Sequence, residues 1–145
     1  MRAWLAPRLG AATAFIPQCN GDLGQRLLAA ACGEFDSGSE HVYLIGGDCP
    51  ALSRDYLYEA DEALNSHDIV LGPAQDGGYV LLGLKGPHED LFRNIAWSTP
   101  AVLEQTLAAA YRQTLSVHLL KYLVDIDDAL TLHDQSRFFT FLKLP

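Results

Sequence analysis

The sequence predicts an α/β fold, a three-layer α/β/α sandwich around a mixed, mainly parallel sheet. Three observations lead there. Compact apolar runs such as "HVYLIG" (His41 to Gly46) alternate with stretches of helical periodicity, the pattern that lays helices on the faces of a sheet. The chain has 145 residues, 49% hydrophobic and 19% charged, which is ordinary for a globular protein with a real core. No repeat, low-complexity tract or linker divides it, so a single domain over 1–145 is expected.

The elements follow in order. "AATAFI" (Ala11 to Ile16) is a short strand candidate. "GDLGQRLLAAAC" (Gly21 to Cys32) carries Leu23, Leu27, Leu28 and Ala31 on one helical face. Asp22, with Gln25 three residues on, forms a capping-box pattern at its start. "HVYLIG" is a strand that stops at glycine. "SRDYLYEADEALN" (Ser53 to Asn65) is an amphipathic helix with Ser53 as N-cap.

"HDIVLGPAQDGGYVLLGL" (His67 to Leu84) holds two apolar strands around a loop with Asp76, Gly77 and Gly78. Asp-Gly signals a hairpin, yet this loop is longer than the two residues such a turn usually fills. "STPAVLEQTLAAAYRQ" (Ser98 to Gln113) is a further helix, with Thr99 as N-cap and Pro100 at the first helical position. "SVHLL" (Ser116 to Leu120) is a strand candidate, and "HDQSRFFTFLK" near the C-terminus reads as a helix.

Charge and cysteines bound the function. The net charge of −8 would repel a polyanion, so nucleic acid is not an expected partner. A nucleotide remains compatible, provided a divalent cation bridges carboxylates to phosphates. Cys19, Cys32 and Cys49 show no CxxC pair and no zinc spacing, and their odd number points to a reducing compartment, the cytoplasm. No apolar run reaches the length of a membrane span.

In open α/β sheets ligands bind beyond the carboxyl ends of strands. "VYLIGGDCPALS" puts Asp48 at such an end, where a hard cation would suit it; a turn or capping role is the alternative. In "VDIDDALTL", Asp125 and Asp127 would face one way on an extended backbone and could share an ion. A solvated acidic turn, with Asp127 or Asp128 capping the next helix, is the alternative there. "DIDDALT" also matches the nucleophile motif of haloacid-dehalogenase phosphatases. That motif opens its fold, whereas here it comes late, so a magnesium-dependent phosphatase is kept only as a distant reading.

"QCNGDLGQRL", "IGGDCPALS", "VLGPAQDGGYVLLGL", "LFRNIAWSTPAVLEQTL" and "LVDIDDALTL" occur in this order from about Gln18 to Leu132. The series resembles the selenodomain-associated transferases, relatives of nucleotide-diphospho-sugar transferases that share the GT-A fold with 2-phospho-lactate guanylyltransferase. The resemblance implies a GT-A-like fold and a nucleotidyl- or glycosyltransferase using Mg²⁺ or Mn²⁺, with a nucleotide or nucleotide-sugar and a small-molecule acceptor. It implies Asp48, Asp125 and Asp127 as metal ligands. Gln18, Gly21, Asp22, Leu23 and Gly24 would line the nucleobase pocket. Asp76, Gly77, Gly78 and Tyr79 would floor the acceptor pocket, with Asp48, Asp76 and Tyr79 closest to the chemistry. A plain hairpin turn is the competing reading of that loop. The family opens with a strand and a Gly-, Lys- and Arg-bearing loop that has no counterpart in "MRAWLAPRLG", so a domain without its first βα unit is expected. A non-catalytic binding module of the same fold is therefore an alternative function. A homodimer is expected to cover the sheet edge that such a unit would leave open. The family also has Thr at the position of Asp128 and Asp at that of Thr131.

Overall fold

The computed structural model describes residues 14, 16–47 and 49–123. Within them lie three α-helices, one short 3₁₀ turn and a four-stranded sheet.

Helix α1 (Leu23–Asp36) starts as its sequence dictates. Asp22 accepts the Gln25 N–H at 2.8 Å, and Gln25 Oε1 accepts the Asp22 N–H at 3.0 Å, the reciprocal capping box. The helix runs a turn beyond the expected Cys32. Strand β1 (Val42–Ile45) leads to helix α2 (Arg54–Ser66), where Ser53 Oγ takes the Tyr56 N–H at 3.2 Å. Strands β2 (Ile69–Pro73) and β3 (Tyr79–Leu84) form the hairpin, with a register shift at Gly72/Pro73. A 3₁₀ turn (Glu89–Leu91), helix α3 (Val102–Arg112) and strand β4 (Val117–Leu119) complete the described part.

The sheet order is β1-β3-β2-β4. Strands β1, β2 and β4 point the same way, and β3 runs against them between β1 and β2. The sheet is mixed, as expected, but this insertion makes two of its three pairings antiparallel. Buried cores lie on both faces. One joins α1 and α3 to the sheet through Ala31, Leu71, Leu82, Leu84 and Ala110. The other joins α2 to the opposite face through Tyr56, Ala60, Leu64, Val70 and Leu81. Strand β2 is buried along its whole length, because helices cover both of its sides.

The start of α3 corrects the sequence expectation. Thr99 is not its N-cap, nor Pro100 its first residue. Thr99 Oγ1 donates to the Ala96 carbonyl at 2.7 Å and accepts the Ala101 N–H at 3.3 Å, which closes a separate turn. The helix begins at Val102, and Ala101 in the cap position offers no side-chain acceptor. One of its first-turn donors goes instead to a distant acceptor, since Leu103 N–H meets the Gly77 carbonyl at 2.9 Å. Tertiary packing has replaced the local cap.

The strand expected over Ala11 to Ile16 falls largely outside the described residues, and Ile16 itself is in no strand. The C-terminal helix expected from His133 lies wholly outside them. No described helix is long and apolar enough to cross a membrane.

Candidate functional site

The carboxyl ends of β1, β2 and β4 share one end of the sheet, where the loop carrying Asp76, Gly77 and Gly78 leads into Tyr79. The loop 74–78 returns β2 into β3. Ala74 N–H donates to the Gly78 carbonyl at 3.0 Å, and Asp76 Oδ1 accepts the Gly78 N–H at 2.8 Å. The loop is therefore a hairpin turn braced by the Asp76 carboxylate through Oδ1, on an exposed residue. Gly77 has φ +91°, and a Cβ there would lie 2.2 Å from the Pro100 carbonyl oxygen. Glycine is required on both counts.

Tyr79 stands at the first position of β3. Its ring meets Trp97 edge-on, with centroids 6.5 Å apart. Its hydroxyl is buried and has no hydrogen-bond partner among the described residues, and the same holds for the Thr106 hydroxyl. Burial pushes the Tyr79 phenol up to about 12, while the nearby Thr106 hydroxyl works slightly the other way without making a well-formed bond. At neutral pH Tyr79 is a hydrogen-bond donor and not a base.

Trp97, which sequence reasoning passed over, ties this loop to α1. A Cβ on Gly24 would lie 2.4 Å from Trp97 Nε1 and 2.6 Å from the Phe92 carbonyl oxygen. The start of α1 thus packs directly on the indole, which also meets Tyr79. The helix expectation began at Ser98 and gave Trp97 no role; a Trp directly before the "STP" turn was the available signal.

The segment read as a nucleobase pocket has mixed duties. Asp22 is committed to the capping box, and Gly21 (φ +133°) leaves room for the Gln25 side chain that completes it. Leu23 is half-buried and Gly24 is packed against Trp97. Gln18 stays exposed, and its Oε1 accepts from Arg26 Nη1 at 3.1 Å. It borders a groove of about 250 Å³ between α1 and β1.

Asp48, Asp125 and Asp127 lie outside the described residues, and no group of three metal-capable side chains occurs within them. Their sequence neighbours are placed, however. Cys49 and Leu123 pack into one cluster with Ala74 and Val80 around Tyr56. The Tyr56 hydroxyl donates to the Lys121 carbonyl at 2.9 Å, and burial, with Cys49 and Glu59 adding to it, pushes the phenol up to about 12. Gly46 N–H donates to the Val80 carbonyl at 2.9 Å, and Leu123 N–H to the Pro73 carbonyl at 2.9 Å. The chain leading into Asp48 and the chain leading into Asp125 therefore reach the same end of the sheet. Among the described residues no disulfide joins the three cysteines.

A protein from Desulfovibrio desulfuricans G20, described as a "putative nucleotide-diphospho-sugar transferase", superposes on this chain with a TM-score of 0.84 and 32% identity. The match covers 98% of this chain and 61% of that one, so the chain spans less than two thirds of that protein's length. The fold is accordingly that of the nucleotide-diphospho-sugar transferase-like, GT-A-like α/β proteins. No curated protein matches. Residues 1–99 match the family described as "Uncharacterized protein conserved in bacteria (DUF2064)", and the chain belongs to that family.

Proposed function

We propose that this chain belongs to a metal-dependent nucleotidyl- or glycosyltransferase of the nucleotide-diphospho-sugar type, acting in the cytoplasm on a small-molecule acceptor. The observation that carries the reading is the 32% identity and common fold with the Desulfovibrio protein over 98% of this chain. The finer kinship with selenodomain-associated transferases and 2-phospho-lactate guanylyltransferase belongs to the same proposal.

In this reading Asp48, Asp125 and Asp127 hold Mg²⁺ or Mn²⁺. A bound metal would neutralise phosphate charge, act as a Lewis acid and orient the transferring group. Carboxylates carried by converging segments suit such a hard cation, and the shared packing of Cys49 and Leu123 supports their convergence. Asp76, with one oxygen committed to its own turn, presents the other to an acceptor hydroxyl or amine. Gly78 gives the acceptor backbone clearance, whereas the absent side chain of Gly77 makes room for Pro100. Tyr79 and Trp97 hold that loop against α1, so the acceptor floor and the Gln18 segment move as one unit.

Calorimetric titration with Mn²⁺ and nucleotides tests the proposal. Metal-dependent nucleotide binding that is lost in Asp48→Ala supports it. Absence of binding by the natural full-length protein, or undiminished activity in Asp48→Ala, overturns it. Metal should also stabilise the fold by RT ln(1 + [L]/Kd), about 2.7 kcal/mol at a hundredfold excess over Kd. That increase in melting temperature should vanish in Asp127→Asn. An equal response in both proteins removes Asp127 from the site.

A further inference from the structure

The parallel strands β2 and β4 begin side by side, and each brings a histidine to that end of the sheet. Val70 is in register with His118, while His67 stands at the C-cap of helix α2, just before β2. Though far apart in sequence, the two imidazoles are neighbours, with ring centroids 5.1 Å apart and planes inclined by 54°. Both residues are half-buried.

The His67 ring has a defined tautomer. Its Nδ1 lies 2.9 Å from the Ala63 carbonyl oxygen and 3.1 Å from Ser66 Oγ. A carbonyl can only accept, so Nδ1 carries the hydrogen and the lone pair of the neutral ring is on Nε2. The same arrangement stands behind metal-bound histidines, where a backbone carbonyl holds the far N–H and orients the ring. The two backbones are fixed as well. The Asp68 and Ile69 N–H groups both donate to the Ser116 carbonyl at 3.1 Å. Asp68 Oδ2 accepts the Ser116 N–H at 2.7 Å and its hydroxyl at 2.6 Å. Asp68 follows His67 directly and Ser116 is two residues before His118, so these bonds set the pair in place ahead of any ligand.

Spacing and charge at this corner suit a metal ion. An imidazole nitrogen lies about 2.1 Å from a bound ion, which puts the ring centre about 3.2 Å away; two rings at a tetrahedral angle then have centres about 5 Å apart. The observed separation matches. Ala63, Asn65 and Ser66 belong to the last turn of α2, the negative end of its dipole, and the Asn65 carbonyl already holds the Lys85 ammonium at 2.7 Å. The Asp68 carboxylate offsets part of that ammonium's charge.

We propose that His67 and His118 form a chelating pair for a late divalent transition-metal ion, of the Cu²⁺, Ni²⁺ and Zn²⁺ class, with water in the remaining positions. Imidazole nitrogen favours these ions, whereas Mg²⁺ and Mn²⁺ prefer oxygen ligands. The Asp76 loop follows the opposite end of β2, so this is a second site. Its ion clips the start of β2 to the start of β4. The proposal does not depend on the transferase reading, which rests on other residues and another class of ion.

Calorimetry of the tag-free protein with Ni²⁺ should show an ion bound per chain, and His67→Gln and His118→Gln should each weaken it at least tenfold. His41→Gln, which alters a histidine beside β1, should leave that affinity unchanged. Asp127→Asn should also leave it unchanged, which separates this site from the proposed Mn²⁺ site. A Cu²⁺ electron-spin spectrum should show coupling to two ring nitrogens in the wild type and to one in either variant. Melting curves without metal check that the variants fold; if His67→Gln does not, His118→Gln decides alone. No Ni²⁺ binding by the wild type, or binding indifferent to the His67 and His118 variants, overturns the proposal. An equal loss in His41→Gln or Asp127→Asn overturns it too.

Discussion

The Gly77 carbonyl accepts the Leu103 N–H at 2.9 Å, so the β2–β3 hairpin supplies a cap for helix α3. Loop and helix are thereby one unit, and Gly77 is its tightest point. Gly77→Ala forces a Cβ to within 2.2 Å of the Pro100 carbonyl oxygen at a φ of +91°. The expected loss is on the order of 2–3 kcal/mol, from backbone strain plus overpacking, read as a fall in melting temperature. A variant as stable as wild type would mean that loop and helix are not coupled.

Two glycines in α1 should respond in opposite directions. Alanine is the better helix former by about 1 kcal/mol at either site. Gly33 has open space around it, so Gly33→Ala should gain most of that. Gly24 abuts Trp97 Nε1 and the backbone of Phe92, so Gly24→Ala should instead lose about 1–3 kcal/mol. Urea unfolding of the two variants gives the comparison directly.

Asp22 is a structural cap in the fold described. Asp22→Ala should cost about 1 kcal/mol, and Asp22→Asn should be close to neutral because asparagine caps equally well. If Asp22→Asn leaves stability intact but lowers nucleotide affinity in calorimetry, the residue has a binding role beyond its cap.

The hydroxyls of Tyr79 and Thr106 are buried without partners among the described residues. An unsatisfied buried hydroxyl is a cost, so Tyr79→Phe and Thr106→Val should each be neutral or stabilising by up to about 1 kcal/mol. Tyr79→Ala, which removes the ring from Trp97, should cost about 3–5 kcal/mol. A marked loss in Tyr79→Phe would reveal a partner for the hydroxyl, most simply a buried water.

Acid should destabilise the protein in two stages. Burial holds the His88 imidazole below its ordinary value, with Asp68 opposing the shift. Its contribution is whole above about pH 6.5 and lost as pH falls through the lowered folded value. Asp68 is held down chiefly by the Ser116 hydroxyl and then by the Ser116 N–H. Asp61 is held down chiefly by Tyr43 and then by His41. Both release protons more readily folded than unfolded, so their share is complete above about pH 4 and fades below it. Both are exposed, and solvent screening keeps each share small. Melting curves between about pH 7 and pH 3 should show the two stages, and Asp68→Asn should flatten the lower one. Stability that rises on acidification through either range contradicts these assignments.

Local chemistry determined much of this protein. The Asp22–Gln25 box, the Ser53 cap and the apolar runs that became β1 to β4 were readable because each depends on residues within a few positions of one another. The hairpin turn at Asp76, the competing reading of that loop, was legible for the same reason. Tertiary structure alone decided the rest. The antiparallel insertion of β3 between β1 and β2 depends on which strands meet, which no apolar run encodes. The late start of α3 depends on Gly77, which lies 26 residues before Leu103 in the chain and meets it through the tertiary fold. Trp97 became the tie between α1 and Tyr79, and Tyr56 the tie between the chains leading into Asp48 and Asp125. Periodicity registers both aromatics only as apolar. The partners that give them their roles are brought within reach by burial, and burial is a property of the whole fold.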